Sequence, residues 1–276
     1  MSPVRLCGYQ PQYFPRLHYF ARILDAEIFK VSDAVQYVRR HVYATAEGRG
    51  KTDVSYQSHT VIKSAHGPQR LGLPILHDGK VPIFQTKLDY HWPWVHDHSQ
   101  AILLSYSKAR FGPRIVSQAS DLLQVSYQSL ADLSLATILW ALSRILDMTE
   151  LPRGSIALDH LNRRLAEPHP FRLKRIIIAS QAPLPPPQDF PDATEWIIAF
   201  CRQYGADEYY YGGTAAAAYL DLDRLIKAGI TPVIQDWKCQ EYSQRYPQAG
   251  FIPNLSIIDL LANEDRTRVV QILQGA

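Results

Sequence analysis

Cysteine is scarce: Cys7, Cys201 and Cys239 are the only three in 276 residues. They are odd in number and far apart in sequence, which argues against a disulfide framework and sets the expectation of a reducing, cytoplasmic protein. Long apolar runs are missing as well. None approaches the ~20 residues of a membrane span, and the start of the chain has no basic-then-apolar leader pattern. The charge excess is small at +3, and basic residues occur as isolated pairs such as Arg39-Arg40 and Arg163-Arg164. Neither a nucleic acid nor a membrane surface therefore has electrostatic support as a partner. Walker-type phosphate loops, spaced-glycine fingerprints, G-x-S-x-G elbows and paired Cys or His-Glu zinc spacings are all absent. No cofactor is expected. No metal is expected either: His91, His96 and His98 lie close to Asp89 and Asp97, but at helical spacing His96 and His98 face apart.

What is present is an ordinary globular composition, 46% hydrophobic and 20% charged, enough for a sizeable core. The chain opens with an apolar run, residues 4–7, followed by a loop carrying Tyr9, Gln10, Gln12, Tyr13 and Phe14 between two prolines. A helical pattern then begins at Leu17. Strand, polar-aromatic loop, helix is how α/β folds place ligand groups at the carboxyl end of a strand. Helix capping by Gln10 and Gln12, with Tyr13 and Phe14 in the core, explains the same residues equally well.

Further along, residues 27–33 read as a strand ending at Asp33. Residues 39–53, polar and glycine-bearing, read as a surface loop. Strands are expected over 56–63 and 71–76, with a hairpin turn at 77–80. Residues 92–110 change to helical period, with Trp94, Val95, His98, Ile102 and Tyr106 on one face. Two more helices follow, over 113–124 and 130–146, the second strongly apolar. Residues 173–179 form a continuous apolar strand pattern. Asp192 and Glu195 have capping-box spacing before a helix that stops at Gly205. Strands at 207–211 and 231–235 flank a helix closing at Gly229, and a last helix is expected over 260–273. The reading is a single α/β domain over 1–276: a mostly parallel sheet flanked by helices, with a helical block over about 92–147. In a parallel sheet the groups at the strand ends converge, namely Tyr9-Gln10, Ser32-Asp33, Ser180-Gln181, Tyr211-Gly212-Gly213 and Gln235-Asp236.

Several of these residues carry possible chemistry beside plainer readings. His98 suits a general acid or base. The Gly212-Gly213 pair either lets an anion approach the backbone or makes a tight turn. Lys108 and Arg110 answer either a helix dipole or an anionic substrate. Cys239 sits beside Lys238 in a loop, reactive or inert; Cys201, on an apolar helix face, belongs in the core.

Spread along the chain, the segments Tyr9-Gln10-Pro11-Gln12-Tyr13-Phe14-Pro15, Asp33-Ala34-Val35-Gln36-Tyr37, Gln57-Ser58-His59 and Trp94/His98/Tyr106/Lys108/Phe111 form a combined pattern. Ala193-Thr194-Glu195, Gly205-Ala206-Asp207-Glu208-Tyr209, Tyr242-x-Gln244 and Asn254-Leu255-Ser256-Ile257-Ile258-Asp259 extend it. Together they resemble the WbqC-like family over nearly the whole chain. Tyr9 stands where that family has histidine, Ser58-His59 replaces an Asn-Arg pair, and 39–53 resembles an insertion. The resemblance implies an acyl- or aminoacyl-transferase of bacterial O-antigen or natural-product biosynthesis. Such an enzyme would join a carrier-protein or coenzyme A thioester to an amine acceptor, so a small-molecule acceptor and an acyl-carrier protein are the expected partners. In that role His98 would be the base, Asp33 its orienter or a grip on the acceptor ammonium, and Gln10 and Gln36 or the Gly212-Gly213 backbone the oxyanion donors. Lys63 and Lys108 would face phosphate or carboxylate, and Cys239 is the alternative acyl-enzyme nucleophile. Tyr9, Tyr13, Trp94, Tyr106, Asp236, Tyr242, Gln244 and Asn254 complete the candidate substrate contacts. A non-catalytic protein holding a nucleotide sugar or carrier-bound intermediate, and a thioester hydrolase, are the competing expectations.

Overall fold

A computed structural model of the chain describes residues 3–45, 48–76, 79–148, 158–213 and 219–275. At its centre is a five-stranded parallel sheet. Its members are β1 (Arg5–Tyr9), β2 (Ile28–Val31), β7 (Arg175–Ile178), β8 (Glu208–Tyr211) and β9 (Thr231–Ile234), in the order β7-β2-β1-β8-β9. Side chains alternate across it. Cys7, Phe29 and Tyr210 face a large core shared with α1 (Leu17–Leu24), α4 (Leu130–Ile145), α8 (Ile257–Asn263) and α9 (Arg266–Gln274). Leu6, Ile28 and Tyr209 face a smaller core under α6 (Ala193–Tyr204) and α7 (Leu222–Lys227). Helices thus cover both faces, and the expected α/β architecture holds.

The connection β1–α1–β2 runs on one face and β8–α7–β9 on the other, so the winding reverses between β1 and β8. The carboxyl ends of two strands that diverge in this way leave a crevice, the usual ligand position in such sheets. The helical block consists of α2 (Trp94–Tyr106), α3 (Gly112–Leu123) and α4, the last opened by a reciprocal Ser129/Asp132 capping box. A further short helix, α5 (Leu158–Leu165), follows it.

Local readings needed two corrections. Residues 39–53 are not simply a loop: β3 (Val42–Thr45) and β4 (Gly48–Lys51) pair antiparallel there. The strands expected over 56–63 and 71–76 are β5 (His59–Ser64) and β6 (Gly67–Gly72), paired antiparallel through the turn Ala65-His66, with Gly67 just after it at φ +105°; of the hairpin turn expected over 77–80, His77 and Asp78 lie outside the described residues. The single terminal helix is two, because the Asp265 carboxylate accepts the Arg268 N–H and starts a new helix in place of continuing α8. Asp192 caps α6 as expected and Gly205 ends it at φ 65°. Of the helix-favouring run after Gly213, residues 214–218 lie outside the described residues.

Candidate functional site

A cavity of about 790 Å³ opens at the reversal point. The ends of β1 and β8 supply Gly8, Tyr9, Gln10, Tyr209, Gly212 and Gly213, the start of α1 adds Arg16 and His18, and its last turn adds Arg22. Lys30 and Ser32 enter from β2, Tyr56 and His59 from the β5 side, and Trp196 from α6.

Lys30 is the least expected member. It is a lone charged residue in a strand buried on both faces, 1% exposed. Its register partner is Gly8, and the lysine crosses that glycine so closely that a Cβ there would sit 2.8 Å from Cε. The Nζ lies 3.6 Å from the centre of the Trp196 ring and 4.2 Å from that of Phe200. Among the described residues it has no hydrogen-bond acceptor and no carboxylate. Burial drives its pKa from the ordinary lysine value down to about 7, so a substantial neutral fraction exists at physiological pH. A neutral amine of this kind is a base or a nucleophile. The Tyr209 hydroxyl and the Lys30 Nζ lie 3.3 and 3.4 Å from the position a Gly8 Cβ would occupy, so both converge over that glycine.

His18 is held in one tautomer. The Asn254 Oδ1 accepts from both the His18 backbone N–H and Nδ1–H, each at 3.0 Å. That leaves Nε2 as an acceptor, with the Tyr9 hydroxyl 3.3 Å away. Burial, reinforced by the Arg22 charge, lowers the His18 pKa to about 4, so the ring is neutral. Asn254 adopts φ 56° to present this oxygen, a conformation Asn tolerates better than most residues.

Gln10 is oriented just as strictly. The Gln57 Oε1 accepts from the Val38 N–H and the Ser55 hydroxyl, so its amide nitrogen donates to the Gln10 Oε1 at 2.7 Å. The NH2 of Gln10 is thereby left as a donor beside the cavity, positioned to stabilise a developing oxyanion. His59 donates Nδ1–H to the Ser55 carbonyl at 2.6 Å, and burial lowers its pKa.

The cavity gathers only part of the expected constellation. Tyr9, Gln10, Gly212 and Gly213 line it, and Asn254 supports it through His18. His98 does not line it. Its Nδ1 lies 3.0 Å from the Tyr13 hydroxyl and its ring packs on Trp94, while burial drops its pKa to about 4 against an opposing backbone bond to Gly72. His98, Tyr13 and Trp94 are therefore a core cluster. Asp33 spends its carboxylate on the Ser180 N–H and hydroxyl, tying the end of β2 to the turn after β7. Lys63 Nζ points away from the cavity, donating to the Gly250 carbonyl and the Gln244 Oε1. Tyr106, Tyr242 and Asp259 form the adjoining buried cluster, in which the Tyr242 hydroxyl donates to Asp259 at 2.7 Å. Gln36 and Lys108 are exposed and do not line this cavity. Asp236 lines a second cavity of about 550 Å³, with Asp25, Arg172 and Trp237. The Cys239 Sγ accepts the Asn254 N–H at 3.2 Å, and burial raises its pKa, which disfavours the thiolate form; it does not line the cavity.

The family model of the WbqC-like proteins matches residues 10–270. The chain belongs to the WbqC-like protein family. The matched span contains the whole cavity lining save Gly8 and Tyr9, so this WbqC-like chain carries its cleft within the family region. No curated protein and no solved structure matches it. Among the described residues no group of three or more His, Cys, Asp or Glu side chains is arranged to hold a metal, and no helix is long and apolar enough to cross a membrane.

Proposed function

We propose that this WbqC-like protein is an acyl- or aminoacyl-transferase that forms an amide, or an ester, from a carrier-protein or coenzyme A thioester. Its acceptor is an amine such as an amino sugar, in cytoplasmic O-antigen or natural-product assembly. The observation that carries the reading is Lys30: an amine that titrates near pH 7, facing a cavity that also holds the oriented NH2 of Gln10. His98, remote from the cavity, has no part in it.

The chemistry follows from these groups. Neutral Lys30 takes a proton from the acceptor ammonium, and the freed nitrogen attacks the thioester carbonyl. The carbonyl oxygen gains negative charge and receives the Gln10 N–H. When the C–S bond breaks, the Lys30 ammonium returns a proton to the leaving thiolate. The regenerated amine takes the second proton from the attacking nitrogen, so that a neutral amide and a free thiol result and that proton passes on to solvent. A volume of about 790 Å³ falls within the range of small-molecule sites, ~300–1,000 Å³, and has room for a thioester end together with an acceptor.

The test is turnover of acyl-coenzyme A with an amino sugar, the product read by mass spectrometry. Lys30→Met should lower kcat by about 10²–10⁴-fold, the usual worth of a general base. Unchanged turnover in that variant removes Lys30 from the mechanism. Thioester binding by the wild type with no transfer to any amine transfers the assignment to a binding protein, and release of free acid in place of amide transfers it to a hydrolase.

A further inference from the structure

We propose that the Arg22 corner of the cavity is an oxyanion subsite, shaped to take a phosphate or carboxylate group of the ligand. The proposal deepens the transfer reading, and rests on it, by giving the substrate a charge and an orientation.

Arg22 lies on α1 and is 7% exposed. Its guanidinium is fixed from three sides. The Nε–H donates to the Gln235 Oε1 at 2.9 Å, and the Gln235 amide in turn donates to the His18 carbonyl at 2.9 Å. The Tyr9 ring lies beneath it, 4.3 Å from the guanidinium carbon to the ring centroid. Gly212 gives it space, since a Cβ there would sit 1.8 Å from one terminal nitrogen. Both terminal nitrogens lack an acceptor among the described residues, and Arg22 lines the cavity. A planar fork with two free N–H edges is the geometry that receives an oxyanion bidentately.

The rest of the lining agrees. Arg16 is the other guanidinium of the lining, and it too meets no carboxylate among the described residues. Among the described residues the lining has one carboxylate, Asp192, which already pairs with Arg224. Burying unpaired cations is costly, and an anion brought by the ligand would offset that cost at this corner.

The test is calorimetric titration of the full chain with inorganic pyrophosphate and, separately, with malonate. At least one should bind the wild type. Pyrophosphate alone indicates a phosphate-bearing ligand, and malonate alone a carboxylate. Arg22→Met should weaken binding by about 30-fold, the worth of lost charge-assisted hydrogen bonds. Gly212→Ala should weaken it about as much while leaving the charge count unchanged, because it displaces the guanidinium. If the variants do not fold, the Arg22 Nε–H resonance of the wild type should shift on adding the bound anion. The proposal is overturned if the wild type binds neither probe, if both folded variants bind as tightly as the wild type, or if that resonance does not move. These titrations contain no thioester, so their failure leaves the Lys30 turnover experiment to stand or fall by itself.

Discussion

Lys30 and Gly8 are a matched pair across neighbouring strands: the lysine stem occupies the space a Cβ on Gly8 would fill, 2.8 Å from Cε. The aromatic faces of Trp196 and Phe200 hold the amine from the other side. Enforced neutrality of this kind leaves a signature in the pH dependence of stability. Folding depresses the Lys30 pKa to about 7, so above that pH the unfolded chain binds more protons than the folded one. The wild type should therefore gain stability relative to Lys30→Met as pH rises from 7 to 8.5. The slope should approach ~1.4 kcal/mol per pH unit. Denaturant unfolding at several pH values measures it, and parallel curves for the two proteins would refute the depressed pKa.

Asn254 fixes the His18 tautomer by accepting its Nδ1–H. Replacing the amide by a carboxylate should reverse the sense of the perturbation. In Asn254→Asp the imidazolium gains an ionic partner, and the His18 pKa should climb from about 4 to the ordinary histidine range or beyond. The backbone at φ 56° accepts Asp as readily as Asn. An NMR titration of the His18 ring resolves it, and a pKa still near 4 would contradict the contact.

His98 and Tyr13 form a buried hydrogen-bonded pair away from the cavity. His98→Ala should destabilise the fold by about 2–4 kcal/mol through the space it leaves. Tyr13→Phe should cost about 1 kcal/mol for the lost hydroxyl. Per folded molecule, kcat should stay within a few-fold of wild type for both. A His98→Ala protein of native stability and no turnover would restore the histidine to the catalytic centre.

Asp259 is fully buried beside Tyr242 and Tyr106, and burial lifts its pKa to about 6. Between about pH 4 and 6 the folded state therefore holds a proton that the unfolded chain has released. The wild type should lose stability relative to Asp259→Asn as pH rises through this window, by up to ~1.4 kcal/mol per unit. Thermal unfolding at pH 4, 5 and 6 gives the comparison; a wild type that gains on the variant over the same range would show the carboxylate is stabilised as an anion.

The sheet was legible because its strands are short apolar runs ended by polar or glycine residues, and because helical periods lie between them. The convergence of Tyr9, Gln10, Gly212 and Gly213 follows from parallel strands alone. What sequence reasoning missed depends on register and on contacts between distant segments. Lys30 could have been noticed as a single charge within Ile28–Val31, but its meaning comes from lying opposite Gly8, a pairing no local pattern specifies. His18 and Arg22 carried a readable signal: they are four apart on an otherwise apolar helix and so share a face. His98 misled because an inward-facing histidine looks the same in sequence whether its neighbour is a cavity or the Tyr13 hydroxyl. Lys63 misled in the same way, since the Gln244 and the Gly250 carbonyl that satisfy it lie 181 and 187 residues away.

The stitching of the first helix to the segment before α8 has a further implication. Leu17 N–H bonds the Leu255 carbonyl, Ile257 N–H bonds the Pro15 carbonyl, the Ser256 hydroxyl donates to the Phe14 carbonyl, and Asn254 grips His18. Segments 236 to 242 residues apart in sequence are thus fastened beside the cavity that His18 lines. The binding chamber is therefore complete only once the segment around Asn254 has joined the first helix, and any ligand captured there acts as a clasp between the two.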